Sequence, residues 1–115
     1  MAITRRASAA GSNAELGGAV NIPNTVEAGD LLLVVVSVND YSSVRSIDTP
    51  AGWTLLATSA GSPDGGSQFT SLYVKRATVD DAGQTVLFPV NPTGSKKAVA
   101  LASYYSDSEG DQVNI

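Results

Sequence analysis

The chain has 115 residues, which is enough for one domain with a single modest core. Hydrophobic residues make up 43% of it and charged residues only 16%, a balance that argues against a disordered chain. The formal net charge of −4 gives no electrostatic reason to expect nucleic-acid binding. Cysteine and histidine are absent, which excludes disulfides, thiolate metal sites and histidine-based catalysis.

The first part of the chain predicts three strands, and the third of them organises the rest. Residues 2–8 carry Arg5 and Arg6 on opposite faces, which marks an edge strand or an arm, because such charges discourage edge-to-edge pairing. Residues 16–22 form a weaker strand whose glycine pair is typical of a bulge. The run LLLVVV at 31–36 is too short to cross a bilayer and is rich in β-branched residues. Because both of its faces are apolar, we expect it at the centre of a packed β domain.

Turns and strands alternate through the middle of the chain. A short strand is predicted at 44–48, followed by a type I turn at 49–52 with proline second and glycine fourth. The next strand, 53–59, begins with the only tryptophan, which we expect to plug one end of the core. The glycine- and serine-rich stretch 60–67 predicts a loop, and 68–77 predicts a further strand.

Two more strands complete the prediction. In the strand at 84–90, Pro89 has no N–H to donate, so it belongs at an edge or a bulge. In the strand at 97–105, alanines occupy the alternate positions 98, 100 and 102, and small side chains let a facing sheet approach closely. The acidic stretch 107–111 lacks the spacing of a calcium loop and is expected to be a solvated tail.

These signals predict an all-β fold, an antiparallel, jelly-roll-like β-sandwich of about eight short strands. The domain is expected to span residues 1–105, with 1–12 as an N-terminal arm or edge strand and 106–115 as a C-terminal tail. Fully burying one aliphatic side chain contributes roughly 1.5–3 kcal/mol, so a core of nine large side chains supplies a substantial driving force. The expected core residues are Leu31, Leu33, Val35, Trp53, Leu72, Val74, Phe88, Val99 and Leu101.

The chain offers little that resembles catalytic chemistry. It has no nucleophile elbow, phosphate-binding loop or dinucleotide fingerprint. Asp80 and Asp81 are adjacent, and adjacent residues point apart, whereas a glycosidase needs two carboxyl groups that face one cleft. We therefore predict that the protein is not an enzyme, holds no cofactor or metal ion, and binds neither nucleic acid nor membrane.

Four stretches stand out when they are taken together: 22–33 (IPNTVEAGDLLL), 49–56 (TPAGWTLL), 72–78 (LYVKRAT) and 97–104 (KAVALASY). In this order they resemble a family of β-sandwich modules in the virion proteins of tailed bacteriophages, especially those of actinobacterial hosts. Proteins of this kind are minor tail proteins or capsid decoration proteins. The resemblance covers nearly the whole chain, and its motifs are structural ones: turns, strands and the tryptophan plug.

The resemblance implies a non-enzymatic virion protein that is made in the host cytoplasm and assembled into the particle. The leading interpretation is a decoration or cement protein that stabilises the shell from the outer head surface. The first alternative is a minor tail or tail-tip protein of the same fold, and a second alternative is a β-sandwich that binds a host surface glycan. The expected partners are the major capsid protein or tail subunits, together with further copies of the chain itself.

Candidate partner-binding residues are arginines and tyrosines of the two ends of the chain and of one loop: Arg5, Arg6, Tyr41, Tyr104 and Tyr105. Exposed ion pairs are worth only about 0–1 kcal/mol each, so contacts along an exposed edge strand would hold a partner more strongly than the two arginines. Glycan binding would need exposed aromatic rings, and its candidates are Tyr41, Trp53, Tyr73, Tyr104 and Tyr105.

Overall fold

The computed structural model describes residues 3–12, 18–39, 46–60, 68–91 and 96–106. Within these ranges the chain forms β-strands and no helix, and every strand pairing is antiparallel, which confirms the predicted all-β sandwich. The strands are β1 (Ile3–Ser12), β2 (Gly18–Asn21), β3 (Leu31–Asn39), β4 (Ser46–Ile47), β5 (Thr54–Ala60), β6 (Gln68–Arg76), β7 (Thr85–Phe88), β8 (Val90–Asn91) and β9 (Lys96–Ser106).

The strands form two layers. Five of them make one sheet in the order β1-β9-β3-β6-β5, with β3 in the middle as expected. The second layer contains the pairs β2-β7 and β4-β8. Strands β7 and β8 are the two halves of the strand predicted at 84–90, and they separate at Pro89, which has no N–H to give to a ladder. The carbonyl of Pro89 instead accepts the N–H of Asp48, at 2.7 Å.

The order of pairing is that of a jelly roll. If β7 and β8 are counted as one interrupted strand, the first strand pairs with the last, the second with the seventh and the third with the sixth. This is the nested winding of antiparallel pairs that produces a two-layered jelly roll. The fold departs from it at β5, which pairs with β6 in the large sheet instead of joining the second layer.

The main core lies between the two layers and is built from alternate residues of the central strand. Leu32, Val34, Val36 and Val38 of β3 are fully buried. They share one face of the strand because side chains of a strand alternate between its two faces. Around them pack buried residues of both layers, namely Val20, Ile22, Val26, Ile47, Trp53, Tyr73, Ala77, Phe88, Val99 and Leu101.

The sequence-based prediction placed the wrong face of β3 in the core. Leu33 is only half-buried and Val35 is 41% exposed, because the odd residues of the strand point away from the second layer. Leu72, opposite Val35 on β6, is half-buried for the same reason. Leu31 and Val74 are buried, but in a small separate cluster on this outer side. A run of six apolar residues contains no alternation, so its sequence cannot show which face meets the second layer.

Three aromatic rings close one part of the core. Phe88 packs edge-on against Trp53 with ring centroids 5.3 Å apart, and its ring is tilted by 38° against that of Tyr73 with centroids 4.7 Å apart. Aromatic pairs at such distances add about 0.5–1.5 kcal/mol per pair to the burial of the rings. The hydroxyl of Tyr73 donates to the carbonyl of Ile47 at 3.4 Å, and burial raises the pKa of Tyr73.

Three reverse turns share the dipeptide Ala-Gly, at 28–29, 51–52 and 82–83. In each, the residue after the glycine donates its N–H to the carbonyl three residues earlier, at 3.1 Å. Each glycine has a positive φ, between 80° and 92°, as the third residue of a type II turn requires. The type I turn predicted at 49–52 is therefore wrong: the turn spans 50–53, and its glycine is third.

The N-terminal segment is a strand of the fold rather than an arm. Strand β1 pairs with β9 along Ile3–Ser12, with a bulge between Arg5 and Ala7. It also approaches the second layer so closely that a Cβ on Gly11 would overlap the carbonyl oxygen of Ala19. Of the two predictions for residues 1–12, the edge strand is confirmed for the described part, 3–12.

Candidate functional site

Two features of the molecular surface bear on function. One is a set of charged side chains that brace one end of the sandwich, and the other is the face of the large sheet that points away from the core. Among the described residues, no group of three or more Asp, Glu, His or Cys side chains is placed to hold a metal ion. In the part of the chain that the structure describes, no helix could span a membrane.

Arg6 is the centre of an ionic clamp formed by Arg6, Glu27, Asp30 and Tyr105. Its Nε donates to Oδ2 of Asp30 at 2.6 Å and its Nη2 to Oδ1 at 3.3 Å, while its Nη1 pairs with Glu27. The guanidinium carbon lies 4.1 Å from the centre of the Tyr105 ring, in cation–π contact. The hydrogen bond to Asp30 raises the pKa of Arg6 above its ordinary value, although burial opposes this.

Asp30 is placed for this role by the turn that it ends. Its side chain is 3% exposed, and its Oδ2 also accepts the N–H of Glu27 at 3.0 Å. The bulge in β1 puts Arg6 between the regularly paired Arg5 and Ala7, which frees its side chain to reach the turn. The clamp therefore ties the N-terminal strand to the turn that precedes the central strand.

A second buried ion pair braces the neighbouring turn. Nζ of Lys75 donates to Oδ1 of Asp81 at 2.7 Å, and Oδ2 of Asp81 accepts from the N–H and the hydroxyl of Thr78. Burial alone would raise the pKa of Asp81, but the hydrogen bonds from Lys75 and Thr78 and the charge of Lys75 outweigh it, so this pKa is lowered. Asp80 is exposed and Asp81 buried, so the adjacent carboxylates do point apart.

The two braced turns are joined to each other through the backbone. The N–H of Gly29 donates to the carbonyl of Ala77 at 2.9 Å, and the N–H of Ala77 donates to the carbonyl of Asp30 at 2.8 Å. Nη1 of Arg76 also donates to the carbonyl of Gly29, at 3.1 Å. This end of the sandwich is thus cross-linked by charge-assisted and backbone hydrogen bonds, which restrict its motion.

The structure separates the predicted partner-binding residues. Arg5 is exposed, whereas Arg6 and Tyr105 contact each other inside the clamp, so the charge of Arg6 is already paired within the fold. Tyr104 is half-buried and packs against the small cluster of Leu31 and Val74 on the outer side. Tyr41, the loop residues 61–67 and the tail from 107 to 115 lie outside the described residues.

The second feature is the outer face of the large sheet, defined here by the residues of its three middle rows. The middle row crosses all five strands and consists only of aliphatic residues: Ala10, Ala100, Val35, Leu72 and Ala57. All but Leu72 are exposed. The row on one side is Ser8, Ala102, Leu33, Val74 and Thr54, and the row on the other contains Ser37 and Thr70.

No charged residue occupies these three rows. Charge begins at the next row, where Leu31 has Arg76 on one side and Tyr104, followed by Arg5, on the other. The hydroxyls of Ser37 and Thr70 lie 3.3 Å apart and satisfy each other. The outer face is therefore an uncharged surface of small and aliphatic side chains, limited at one end by arginine and tyrosine.

The edge of the large sheet at β5 is a smaller exposed apolar feature. Leu55 is 44% exposed and Leu56 is 41% exposed, and no other described strand pairs with the free edge of β5. The register with β6 shifts between Leu55 and Ala57, which is a bulge. Bulges of this kind make an edge less suited to pairing with another strand.

The alternate alanines of β9 predict a closely facing sheet, but the structure shows otherwise. The residues of β9 that meet the second layer are Val99, Leu101 and Ser103. In the described part of the chain, Ala100 is exposed and nothing covers it. The face of β9 that carries Ala100 is the one that the fold leaves open.

Comparisons with protein-family models, with curated proteins and with solved structures give no match to this chain.

Proposed function

We propose that this chain is a non-enzymatic structural protein of a tailed-bacteriophage virion, and specifically a decoration protein that stabilises the capsid from the outer head surface. The observation that carries the proposal is the outer face: an uncharged sheet surface, with Val35 41% exposed at its centre, on a domain with a complete core of its own. An uncharged surface with an exposed aliphatic row through its middle is typical of a protein that works by assembly.

The bracing of the sandwich supports the same role. A decoration protein transmits load between subunits of a shell, so it has to keep its shape when it is pulled. The Arg6–Asp30 and Lys75–Asp81 pairs fasten the two turns at one end, where Asp30 and Asp81 are both buried. Hydrogen bonds to charged groups are the stronger ones in proteins, and here they connect segments that are distant in the sequence.

The motifs that carry the family resemblance coincide with structural elements. The stretch 22–33 contains the Ala-Gly turn, the buried Asp30 and the start of β3, and the stretch 49–56 contains the second Ala-Gly turn and the buried Trp53. The resemblance thus concerns the scaffold, and the choice between head and tail depends on surfaces outside these motifs. A tail or tail-tip protein of the same fold is the alternative.

Glycan binding has less support from the described side chains. Stacking on a sugar needs an exposed ring, but Trp53 is 7% exposed and Tyr73 is fully buried. Tyr105 lies against Arg6, and Tyr104 packs against Leu31. The rings that could have formed a binding platform are largely used inside the fold.

Antibody labelling of intact particles, viewed by electron microscopy, tests the proposal. We expect label distributed over the head, and we expect particles that lack the protein to lose their DNA at a lower temperature than complete ones. Adding the purified protein back should restore the heat resistance. Label confined to the tail would replace the decoration role by the tail role, and absence of label from particles would overturn both.

A further inference from the structure

We propose that the outer face binds the outer face of a second copy of this chain, so that two five-stranded sheets stack back to back about a twofold axis. This inference adds a second copy of the chain to the partners of the virion protein proposed above. The dimer can form in solution without a virion. Dimerisation of the purified chain and its place in a particle are therefore separate questions with separate experiments.

The first argument is the extent of aliphatic surface that the fold leaves open. Val35 lies on the middle strand of the sheet and is 41% exposed. Its neighbours across the strands, Ala100 and Leu72, are also aliphatic, and so are Ala10 and Ala57 at the edges of the row. An antiparallel sheet with one face in solvent usually alternates apolar and polar residues, and β3 departs from that alternation by being apolar on its outer face as well.

The second argument is charge, and it selects a copy of the same chain. In a twofold interface each residue near the axis lies opposite its own copy, so any charge there would face a like charge. The three rows contain no charge, although the chain as a whole has 18 charged side chains, 7 basic and 11 acidic. A partner chosen by charge complementarity would require charges on this face, whereas a twofold interface disfavours them near its axis, where each would meet its own copy.

The third argument is shape. Sheets pack face to face about 10 Å apart with their strands aligned to within about 30°. Val35 is at the centre of the middle row, with Ala100 and Ala10 on one side of it, so a twofold axis between β9 and β3 would put Val35 over Ala100 and Leu72 over Ala10 of the opposite copy. Stacking would thus place each larger side chain of one copy over the small residues of the other, which is how the inner faces of a sandwich interdigitate.

The area of the outer face is sufficient for a specific dimer of moderate affinity. Strands about 4.8 Å apart and outward residues about 6.8 Å apart give a face of ~24 by ~20 Å, or ~480 Å² per copy. Two copies bury ~1,000 Å², at the lower limit of specific interfaces. Complexes with interfaces of this size have dissociation constants in the micromolar range or higher, so the dimer is expected to dissociate on dilution.

The edge strand β5 is the competing route to self-association. Two copies joined at this edge would form one continuous sheet and would use Leu56 rather than Ala100. The bulge between Leu55 and Ala57 interrupts the ladder in the middle of the edge, whereas the rows of the outer face run across paired strands in register. The two routes are separated by substitutions at these positions.

Sedimentation equilibrium from about 1 µM to about 500 µM measures the self-association, over a range that spans micromolar dissociation constants. We expect the wild-type mass to rise from that of the monomer to that of the dimer. Ala100→Lys, which puts two like charges near the axis, should weaken the dimer at least tenfold. Leu56→Lys on the edge and Val79→Lys on an 81% exposed turn residue are matched controls that should leave it unchanged.

A cross-linking measurement keeps the test valid if Ala100→Lys does not fold. Because the chain has no cysteine, Ala100→Cys introduces a single thiol, and a short bis-maleimide should join two copies through it. Val79→Cys should give no such product. Three results would overturn the back-to-back dimer. The first is a wild-type chain that stays monomeric across the whole concentration range, and the second is a dimer that Leu56→Lys abolishes while Ala100→Lys does not. The third is a failure of Ala100→Cys to cross-link under conditions where the wild type dimerises.

Discussion

Replacing Arg6 by Met should destabilise the protein far more than replacing its neighbour Arg5 by Met. The two arginines are equivalent in the sequence, but Arg5 is exposed, whereas Arg6 makes two hydrogen bonds to the buried carboxylate of Asp30. Methionine keeps the length and much of the apolar stem of arginine and removes the charge. The comparison therefore isolates the charged contacts of the clamp.

The magnitude follows from what Asp30 would retain. Its side chain is 3% exposed, and without Arg6 its described partners reduce to the N–H of Glu27. Removing one partner of a buried pair costs about 3–5 kcal/mol, and the 22% exposure of the Arg6 side chain places this pair near the lower value, about 3 kcal/mol. The pair with the exposed Glu27 and the contact with Tyr105 add about 1 kcal/mol or less. Arg5→Met should cost about 0.5 kcal/mol or less.

Urea denaturation at low protein concentration, followed by Trp53 fluorescence, measures both variants. Trp53 is the only tryptophan and is 7% exposed, so its emission reports the opening of the core. For a domain of this size, 3 kcal/mol corresponds to a melting temperature lower by roughly 10 °C. Equal losses for the two arginines, or a loss below about 1 kcal/mol for Arg6→Met, would refute the assignment of a buried clamp.

Other substitutions test the orientation of β3, the contact between β1 and β2, and the Lys75–Asp81 ion pair. Val34→Ala should cost about 2 kcal/mol and Val35→Ala less than about 1 kcal/mol, because Val34 is fully buried and Val35 is 41% exposed. Gly11→Ala should cost about 1–3 kcal/mol, since the new methyl group overlaps a carbonyl of β2, while Ala10→Ser at an exposed position should be nearly neutral. The pKa of Asp81 is lowered by folding, so its ionised form contributes stability above pH 3.8, which is lost as the pH falls further. Asp81→Asn should therefore be less stable at pH 7 and lose less stability on acidification, as urea titrations between pH 7 and pH 2 would measure.

Each of these comparisons has an outcome that contradicts its premise. Equal costs at positions 34 and 35 would mean that the even residues of β3 do not face the core. A stable Gly11→Ala variant would show that β1 does not approach the second layer closely. If the acid profile of Asp81→Asn were the same as that of the wild type, the Lys75–Asp81 pair would not contribute to stability.

Much of the fold was predictable because turns and strands have local signals. All eight predicted strand regions contain strands, and the break at Pro89 follows from its missing N–H. Trp53, Phe88, Val99 and Leu101 do lie in the main core. These features depend on neighbouring residues or on the chemistry of a single residue type, which the sequence displays directly.

The residues of the central strand β3 do not by themselves show which of its faces meets the second layer. The run from Leu31 to Val36 is apolar on both faces, and a shift by one residue exchanges the two faces. Only the pairing with β9, whose Ala100 faces outward and whose Val99 and Leu101 face inward, determines which side is the core. That pairing joins residues 57 to 73 positions apart, and no local pattern specifies it.

The contacts of the charged residues also join distant parts of the sequence, so local patterns did not predict them. Arg6 and Asp30 are far apart in the sequence, and their contact depends on a bulge in β1 and a turn before β3. Arg5 and Arg6 therefore looked alike until the fold placed one of them in the clamp. The outer face, too, exists only as a set of rows across five strands, although its alanines were visible in the sequence.

The abundance of the protein in purified particles tests the central proposal most directly. Quantitative mass spectrometry of density-purified virions, calibrated against the major capsid protein, measures the number of copies in each particle. A decoration protein of the head should be present in hundreds of copies, in a fixed ratio to the major capsid protein. A handful of copies would indicate a tail protein, and absence from purified particles would contradict a structural role in the virion.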